Sequence, residues 1–511
     1  MNEQEINGKV FSMTDLGQVT ARLRQEGKTI VQCHGVFDLL HPGHLRHFVA
    51  AKKLGDVLVV TLTSDRYVNK GPDRPVFNQN LRAESIASIG CVDYVAINDH
   101  PMSSEALTEL KPNIYVKGGE YADLEGDVTG GIKIEKEAVE AHGGKIHFTN
   151  EATFSSSSLI NRFLDTYPTE TKLFLQEFRQ KYSATDIMNA LESIRGKRVL
   201  VIGETIVDEY HYVRPLGRSA KGNVVAQRFQ NDESFAGGII ACANHIAGFC
   251  DDVHVVTCLG AVDSKEEFVR SKLKTNVTPR FFYREGMPTI VKRRFVDSAF
   301  LGKLFEVYYF NDEMTPPNLD AEIRAHLEEV IHEYDVVICL DYGHGMLTPE
   351  TIRFLEQHAK FLALNTQTNA ANIGFNLVTK YPRTDFLCID EPELRLAAGD
   401  RLGAVEDLLK NVASRACSRR AIVTRGHRGC LAYDVDQGFV SIPVLSQKVV
   451  DSVGAGDAFL AIVSPLVSTG MPMELVGFIG NAVGALAVGI VGNRGSVEPV
   501  ALSKFIKTLL A

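Results

Sequence analysis

The stretch GVFDLLHPGH, from Gly35 to His44, directly follows an apolar run at residues 29–33 that predicts a β-strand. Its proline and glycine form a turn at the start of a predicted helix, residues 43–54. Unpaired backbone N–H groups and the helix dipole attract anions at such a turn. Two imidazoles in the spacing His-x-x-His can both face a phosphate there. The stretch therefore predicts phosphate chemistry at the carboxyl end of a buried strand.

A second stretch near the C-terminus, DSVGAGDAF from Asp451 to Phe459, puts a lone carboxylate after a glycine-rich turn. Asp457 ends this turn and an apolar helix follows. A carboxylate beside backbone N–H groups suits phosphoryl transfer from ATP to an alcohol, because the carboxylate accepts the hydroxyl proton while the amides stabilise the phosphoryl charge. The two stretches therefore predict two different reactions in one chain.

Strand and helix patterns alternate over residues 28–165 and start again at residue 186. Such alternation predicts parallel, doubly wound sheets, with ligands at the carboxyl ends of the strands. We expect an α/β chain with an N-terminal domain at 1–164, a helical linker at 165–183 and a C-terminal domain at 184–511. Shorter β segments between about 208 and 310 predict a small β-sheet lid on the second domain.

Composition describes an ordinary globular protein of 511 residues, 45% hydrophobic and 23% charged. A net charge of −9 and the lack of a dense basic run argue against nucleic acid as a partner. The N-terminus lacks the regions of a signal peptide, and no stretch is convincing as a membrane span. Nine cysteines without a CxxC pattern suit buried thiols. We expect a cytoplasmic protein that does not associate with membranes.

The first stretch resembles the GxFDxxHxGH signature of the cytidylyltransferase-like nucleotidyltransferases, and the similarity extends over nearly all of residues 28–165. The resemblance implies a Rossmann-like fold in which His41, His44 and Lys117 stabilise the transition state as a sugar phosphate displaces pyrophosphate. It also implies a set of nucleotide-binding residues: Gly35, Phe37, Lys70, Arg74, Arg82, Ser156 and Ser157.

The second stretch resembles a signature of the ribokinase-like (PfkB) sugar kinases, which implies that Asp457 is the catalytic base. The implied nucleotide-binding residues are Thr424, Gly426, Gly429, Gly454, Ala455, Gly456 and Asn481. The implied substrate-binding residues are Asp208, Gly237, Gly238, Lys292, Arg294 and Asp341, and the implied metal residue is Glu393.

Several positions depart from the PfkB pattern, mostly on the substrate and metal side. Ala241 and Cys242 stand where the family places an asparagine, and His344 replaces the lysine of the DYxKG turn. The usual DPK strand end reads Asn365-Thr366-Gln367, and the NxxE element reads DEPE over 390–393. The identity of the sugar therefore stays open.

The pair of domains resembles the bifunctional ADP-heptose synthases, with the domain order reversed. The resemblance implies ATP-dependent phosphorylation of a heptose-phosphate-like sugar and nucleotidyl transfer to a sugar 1-phosphate. It implies Mg²⁺ at both sites, ATP as nucleotide with CTP possible at the first site, and a homodimer through the kinase lid. Two alternatives remain: cytidylyl transfer to a polyol phosphate or sugar phosphate, and a C-terminal domain that only binds or regulates.

Overall fold

The computed structural model describes residues 6, 8–72, 74–119, 131–149, 167–311, 313–446 and 448–511. The chain divides into two compact units, residues 1–168 with 503–511 and residues 169–502. The linker expected at 165–183 stays a prediction, and its described part contains one helix of 13 residues.

The first unit contains a six-stranded sheet in which every pairing is parallel, in the order β1-β4-β3-β2-β5-β6. Its strands are β1 (Val10–Phe11), β2 (Ile30–Gly35), β3 (Val57–Thr63), β4 (Tyr94–Asn98), β5 (Ile114–Gly118) and β6 (Lys145–Thr149). Its helices are α1 (Met13–Gln25), α2 (Pro42–Lys52), α3 (Gln79–Ala87), α4 (Ser104–Leu110) and α5 (Gly131–Glu140). The predicted parallel α/β fold is confirmed; the two-residue β1 is too short to give a sequence signal.

Alternate residues of these strands pack on opposite sides. Val31 and Val60 belong to the cluster that includes α2 and α3, whereas Ile30 and Val59 pack with residues of α1 and α4. Helices on both faces bury the sheet, which explains why the central strand β3 is apolar and buried along its whole length.

The body of the second unit is a nine-stranded sheet, in the order β11-β10-β7-β14-β15-β16-β17-β18-β19. Its strands are β7 (Arg198–Gly203), β10 (Asp252–Val262), β11 (Val277–Pro288), β14 (Val336–Asp341), β15 (Leu362–Thr366), β16 (Phe386–Asp390), β17 (Arg420–Thr424), β18 (Cys430–Asp434) and β19 (Gly438–Ile442). Only the pairings β17–β18 and β18–β19 are antiparallel. The predicted second doubly wound domain is thus confirmed.

The helices that follow in chain order are α6 (Thr169–Lys181), α7 (Ala184–Glu192), α8 (Ile239–Ile246), α9 (Glu266–Lys272), α10 (Pro317–Val330), α11 (Pro349–His358), α12 (Glu391–Ala398), α13 (Val405–Arg415), α14 (Ala455–Ser468), α15 (Met473–Ala487) and α16 (Pro499–Leu509). Helices α10 to α13 pack on one face of the body sheet, the face to which Leu200 and Ile202 of β7 belong. Helices α8 and α14 contact strands of the same sheet.

The predicted lid is a separate four-stranded sheet, in the order β13-β12-β8-β9. Its strands are β8 (Thr205–Arg218), β9 (Val225–Gly238), β12 (Ile290–Asp297) and β13 (Lys303–Tyr309). The predicted lid is confirmed, and its strands form two antiparallel hairpins, β8 with β9 and β12 with β13. The segments α8, β10, α9 and β11 lie between these hairpins in the chain, and β10 and β11 belong to the body sheet.

All nine cysteines are free thiols, and seven of them are buried. No helix in the described part of the chain is both long and apolar enough to cross a membrane.

Candidate active sites

The first site forms at the carboxyl end of β2, where the chain turns into α2. Phe37 adopts a left-handed conformation at φ 49°, and its ring packs edge-on against His44 with centroids 5.3 Å apart. A Cβ on Gly35 would lie 3.0 Å from the same ring. His41 is the N-terminal cap of α2, and its Nδ1 accepts a hydrogen bond from the Gly43 N–H at 3.1 Å. The turn thus holds both histidines at the helix end that attracts anions.

The imidazoles of His41 and His44 stack with centroids 3.9 Å apart. His41 Nε2 and His44 Nδ1 are buried and have no hydrogen-bond partner among the described residues. Burial and nearby Lys70 lower the pKa of His41. Burial, His41 and Lys70 lower the pKa of His44 to about 3. Unpartnered ring nitrogens among positive neighbours are a suitable surrounding for an anionic ligand.

Asp38 connects the stretch Gly35–His44 to the basic loop after β3, which contains Lys70 and Arg74. This carboxylate is 2% exposed and accepts hydrogen bonds from the Val76 N–H at 2.6 Å and from the Arg74 guanidinium at 3.3 Å. Burial lowers the pKa of Lys70 in the same loop, while Asp38 acts in the opposite direction. The sequence did not predict this role of Asp38, because its hydrogen-bond partners lie 36 and 38 residues further along the chain.

Lys117 lies in β5 and forms a buried ion pair with Glu135 of α5, with 2.9 Å between Nζ and Oε2. The same carboxylate accepts hydrogen bonds from the Tyr115 hydroxyl at 3.1 Å and from the Ser103 hydroxyl. These contacts fix where Lys117 points. Sequence reasoning missed Glu135, since it follows in a helix with no motif around it.

Arg82 is 1% exposed, and its guanidinium donates to the Val36 carbonyl at 2.5 Å, the Thr63 carbonyl at 2.9 Å and the Asp65 carboxylate at 2.6 Å. These bonds brace the turn that carries the histidines. Its contact with a nucleotide stays a prediction. The predicted Ser156 and Ser157 lie outside the described residues.

The second site is centred on Asp457, which lies in the first turn of α14 and is 7% exposed. The Gln367 amide donates to Asp457 Oδ1 at 2.7 Å. Burial raises the pKa of Asp457 to about 7, with the Tyr342 hydroxyl acting in the opposite direction and Asp208 adding to the rise. A carboxyl that titrates near neutral pH suits proton transfer from an alcohol.

Asn493 connects the glycine turn with the predicted sugar-binding carboxylate. Gly454 precedes α14 at φ 80°, and a Cβ there would lie 2.2 Å from Asn493 Oδ1. Asn493 Nδ2 donates to Asp208 Oδ2 at 3.3 Å. A Cβ on Gly237 would lie 2.1 Å from that same carboxylate oxygen. Sequence reasoning missed Asn493 because it stands in a loop that carries no recognised pattern.

The predicted acceptor residues of the lid come together on β8 and β12, whose register pairs Lys292 with Asp208. Arg294 Nη1 donates to Asp208 Oδ1. Lys292 is 7% exposed, and its ammonium lies 5.4 Å from the centroid of the Tyr308 ring. Burial lowers the pKa of Lys292. A buried cation paired with a ring rather than a carboxylate can receive a negatively charged substrate group.

Glu204, directly after β7, holds the turn that follows β14. Its carboxylate accepts hydrogen bonds from the backbone N–H groups of Tyr342 and His344, each at 3.0 Å. Burial and the neighbouring Asp341 raise the pKa of Glu204 to about 7. A Cβ on Gly238 would lie 2.7 Å from the Glu204 carbonyl oxygen, so this glycine allows α8 to start against the same segment. No sequence pattern marks Glu204 as a functional residue.

Asp341 is 1% exposed and accepts a hydrogen bond from the Tyr381 hydroxyl at 2.7 Å. Lys380 Nζ lies 2.5 Å from the same carboxylate. The role of Asp341 in substrate binding stays a prediction, since the same contacts also suit a residue that only stabilises the fold.

His344 is 1% exposed, and neither of its ring nitrogens has a partner among the described residues. Burial and Lys292 lower the pKa of His344 to about 4.

The predicted nucleotide side lies where β17 ends at Thr424 and the chain turns through Gly426 and Gly429. Gly429 has φ 77°, and a Cβ there would lie 2.1 Å from the Ile442 carbonyl oxygen. The Asn481 amide donates to the carbonyls of residues 442 and 443 at 3.0 and 2.9 Å. Asn481 therefore ties α15 to the end of β19, and its contact with a nucleotide stays a prediction.

Carboxylates near Asp457 offer oxygen ligands of the kind that Mg²⁺ prefers. Glu393 accepts hydrogen bonds from the Thr368 and Asp390 N–H groups at 2.9 and 3.0 Å, which leaves lone pairs on both oxygens. Burial and Asp390 raise the pKa of Glu393 to about 8, a cost that a divalent cation would relieve. The described residues contain no cluster of three or more metal-ligating side chains, so these residues suit a cation held mainly by nucleotide phosphates.

Comparison with solved structures supports the fold of the second unit. Phosphofructokinase-2 from Escherichia coli, solved in complex with potassium, covers 61% of this chain and 99% of its own, with a TM-score of 0.50 and 13% identity. At this identity the likeness concerns the fold alone.

Curated relatives match a limited part of the chain. The bifunctional protein HldE of Syntrophotalea carbinolica is 36% identical over 166 residues, which is 32% of this chain and 32% of the relative. The protein of the same name from Trichlorobacter lovleyi is 35% identical over 173 residues, 33% of this chain and 34% of the relative. The match thus spans about a third of the length of these relatives.

Family models match both halves of the chain. The cytidylyltransferase-like model matches residues 33–190, and the model of the pfkB family of carbohydrate kinases matches residues 197–499. The second match spans more than half of the chain and contains the glycine turn, Asp457 and the lid. The chain therefore belongs to the pfkB family of carbohydrate kinases, here preceded by a cytidylyltransferase-like domain.

Proposed function

We propose that this chain is a bifunctional transferase of nucleotide-sugar synthesis. Its second unit transfers a phosphoryl group from ATP to a heptose-phosphate-like sugar, and its first unit transfers a nucleotidyl group to a sugar 1-phosphate with release of pyrophosphate. The observation that carries the proposal is the coexistence of two chemically different arrangements, a stacked histidine pair and a buried aspartate at a glycine turn. The name of the HldE relatives, bifunctional protein, supports it.

At the first site, His41 and His44 present ring nitrogens toward the triphosphate, and Lys70 adds charge from the basic loop. Nucleotidyl transfer builds negative charge around the α-phosphorus, which preorganised donors stabilise without a covalent nucleophile. Lys117, held by Glu135, would join the two histidines in stabilising this charge as the sugar phosphate displaces pyrophosphate. The nucleotide is ATP in this proposal, and CTP is the alternative, because a histidine pair does not select the base.

At the second site, Asp457 takes the proton from the acceptor hydroxyl while the amides of residues 454–456 stabilise charge on the transferred phosphoryl group. Asp208, fixed by Arg294 and Asn493, binds a sugar hydroxyl. Lys292 then receives the anionic group of the sugar. Glu393 would hold Mg²⁺ together with the nucleotide phosphates, and the cation supplies neutralisation of the phosphate charge.

We also propose a homodimer that forms through the lid and a cytoplasmic location. Strand β13 is an edge strand and exposes Leu304, Phe305 and Val307, while Phe300 in the preceding turn is 88% exposed. Apolar patches of this kind usually mark contact surfaces. Nine unpaired cysteines suit a reducing compartment. Sedimentation velocity of the wild type and of Phe305→Glu tests the dimer, which the variant should dissociate.

Turnover with Mg²⁺ and a panel of sugar phosphates, in the presence of either ATP or CTP, tests the two reactions. ADP and pyrophosphate are followed separately. Both products, each with a specific sugar, would establish the bifunctional transferase. Pyrophosphate alone across a panel that includes heptose 7-phosphates would contradict it and favour a C-terminal unit that binds or regulates. Pyrophosphate only from CTP would instead identify a cytidylyltransferase.

A further inference from the structure

One buried carboxylate joins the lid to the catalytic turn. Asp451 opens the stretch that ends in the catalytic aspartate and is 8% exposed. Its Oδ1 accepts hydrogen bonds from Lys303 Nζ at 2.7 Å and from the Val453 N–H at 3.1 Å. Its Oδ2 accepts from the Tyr210 hydroxyl at 2.7 Å and from the Gly492 N–H at 2.9 Å. Four donors thus hold the first residue of the turn.

Two of these four donors belong to the lid sheet. Lys303 is the first residue of β13 and Tyr210 lies in β8. Tyr210 follows Asp208 by two positions, and side chains two apart in a strand share a face. The lid face that carries the acceptor residues is therefore the face that reaches the catalytic turn.

The loop after α15 adds a second connection between the same parts. Gly492 donates to Asp451, Asn493 donates to Asp208, and Arg494 donates to Glu233 of β9 at 2.6 Å. Three consecutive residues thus contact the turn, the acceptor carboxylate and the lid. Direct hydrogen bonds therefore couple the position of the glycine turn to the position of the lid sheet.

Of the four groups that donate hydrogen bonds to Asp451, Lys303 is the one with a formal positive charge. Burial alone would raise the pKa of Asp451, but the hydrogen bonds from Lys303 and Tyr210 hold it below its ordinary value. The Asp451 side chain is buried whereas that of Lys303 is partly exposed, so removing Lys303 would leave a buried carboxylate without its ion-pair partner, which is unfavourable. Either the turn would then move so that Asp451 becomes exposed to solvent, or Asp451 would become protonated.

We propose that Lys303 is a positioning residue for phosphoryl transfer: a cation carried by the lid that neutralises Asp451 and so fixes the amides of residues 454–456. This inference rests on the kinase reaction proposed above. It follows that the amide cradle is ordered only while β13 lies against the turn, so that the lid strands which bind the acceptor also assemble the site for the phosphoryl group.

The test compares Lys303→Met with Lys274→Met in the full-length protein. Lys274 is the control for loss of an ion-paired lysine, because its side chain is 29% exposed against 30% for Lys303 and forms a 2.8 Å ion pair with Glu498, an exposed carboxylate rather than a buried one. We expect kcat for ADP formation to fall at least about tenfold in Lys303→Met, as small displacements of reacting groups do, with a much smaller change in the acceptor KM. Methylammonium should partly restore kcat in Lys303→Met, and Lys303→Arg should retain more activity.

Hydrogen exchange provides a readout that does not depend on turnover. Peptides that cover residues 451–457 and 490–494 should exchange faster in Lys303→Met than in the wild type or in Lys274→Met. Unchanged exchange, or a kcat in Lys303→Met equal to that of Lys274→Met, would overturn the inference. If the wild type forms no ADP with any acceptor, the proposed kinase reaction fails, and the exchange comparison still decides whether Lys303 orders the turn.

Discussion

Basic groups surround the histidine pair of the first unit, whereas carboxyl groups lie around Asp457, the proposed base of the second unit. In the first, burial and positive neighbours lower the pKa of His44 to about 3. In the second, burial raises the pKa of Asp457 to about 7 and that of Glu393 to about 8. Both sites are therefore strained electrostatically, in opposite directions.

This difference indicates the sign of the ligand charge that each site would bind. The histidine site gains from any ligand that brings negative charge, since a nearby anion favours the protonated imidazole. The aspartate site gains from a cation that arrives with the nucleotide, since the cation favours the ionised carboxyls. We therefore expect two different ways of binding phosphate in one chain, each of which can be inactivated without the other.

The most severe test of this separation is Asp457→Asn. Loss of the base should lower kcat for ADP formation by about 10³-fold, within the range of general base catalysis. Pyrophosphate formation at the first site should stay at the wild-type rate, because that reaction uses no group of the glycine turn. Separate assays of ADP and pyrophosphate measure both. Loss of both activities in a folded variant would contradict independent sites.

The reciprocal variant is His44→Ala, for which we expect a fall of roughly 10²–10³-fold in pyrophosphate release, as for loss of one transition-state donor. ADP formation should not change. His142→Ala, at an exposed position of the same unit, is the control for histidine loss in general. A His44→Ala enzyme that still releases pyrophosphate at the wild-type rate would remove the histidine pair from the mechanism.

A smaller effect is expected from Gly454→Ala, because it disturbs the turn without removing a reacting group. The new Cβ would lie 2.2 Å from Asn493 Oδ1, and the position has φ 80°. We expect kcat for ADP formation to fall by about tenfold to a hundredfold, as for misplaced reacting groups. Adding Asn493→Ala should restore only part of it, since the backbone conformation remains unfavourable.

Gly470→Ala separates the two causes in that experiment. Gly470 has φ 83° and no atom within 4 Å of the Cβ position, so it carries the conformational cost without the collision. ADP formation should remain at the wild-type level in this variant. An equal loss in both variants would show that general destabilisation, rather than the Asn493 contact, reduces activity.

The sequence predicted the histidine pair and the catalytic aspartate because each lies in a short stretch at the start of a helix. Local patterns of this kind carry backbone geometry, and the structure places His41 as a helix cap and Gly454 just before α14. The alternation of apolar strands likewise predicted both parallel sheets. What is encoded within about ten consecutive residues could be found without the structure.

Contacts between distant segments could not be found in this way. Glu204 holds a turn 138 residues further along, and Asn493 reaches Asp208 across 285 residues. No spacing marks such pairs, since their meeting depends on how strands are ordered in the sheet. The sheet that a strand joins is a contact of the same kind: β10 and β11 lie between the two lid hairpins in the chain, yet they join the body sheet through pairing with β7 and with each other.

The smallest expected effect concerns stability, and it distinguishes the two units by sign. Asp457 has a folded pKa of about 7 against an ordinary value of 3.8 in the unfolded chain, so the folded state binds more protons between these values and loses stability as pH rises through them. Asp457→Asn removes this cost, and should stabilise the second unit more at pH 8 than at pH 5, by roughly 1 to 3 kcal/mol at about 1.4 kcal/mol per pKa unit.

For His44 the sign is reversed, because its folded pKa of about 3 lies below the unfolded value of 6.5. The unfolded chain then binds more protons between these values, so the first unit loses stability as pH falls below 6.5. His44→Asn should therefore stabilise at pH 5 and have little effect at pH 8. Calorimetric unfolding of both variants at the two pH values measures the pair. If both variants gained stability at the same pH, the electrostatic environments of the two sites would not differ in sign, and the contrast between a site that favours an anion and a site that favours a cation would be lost.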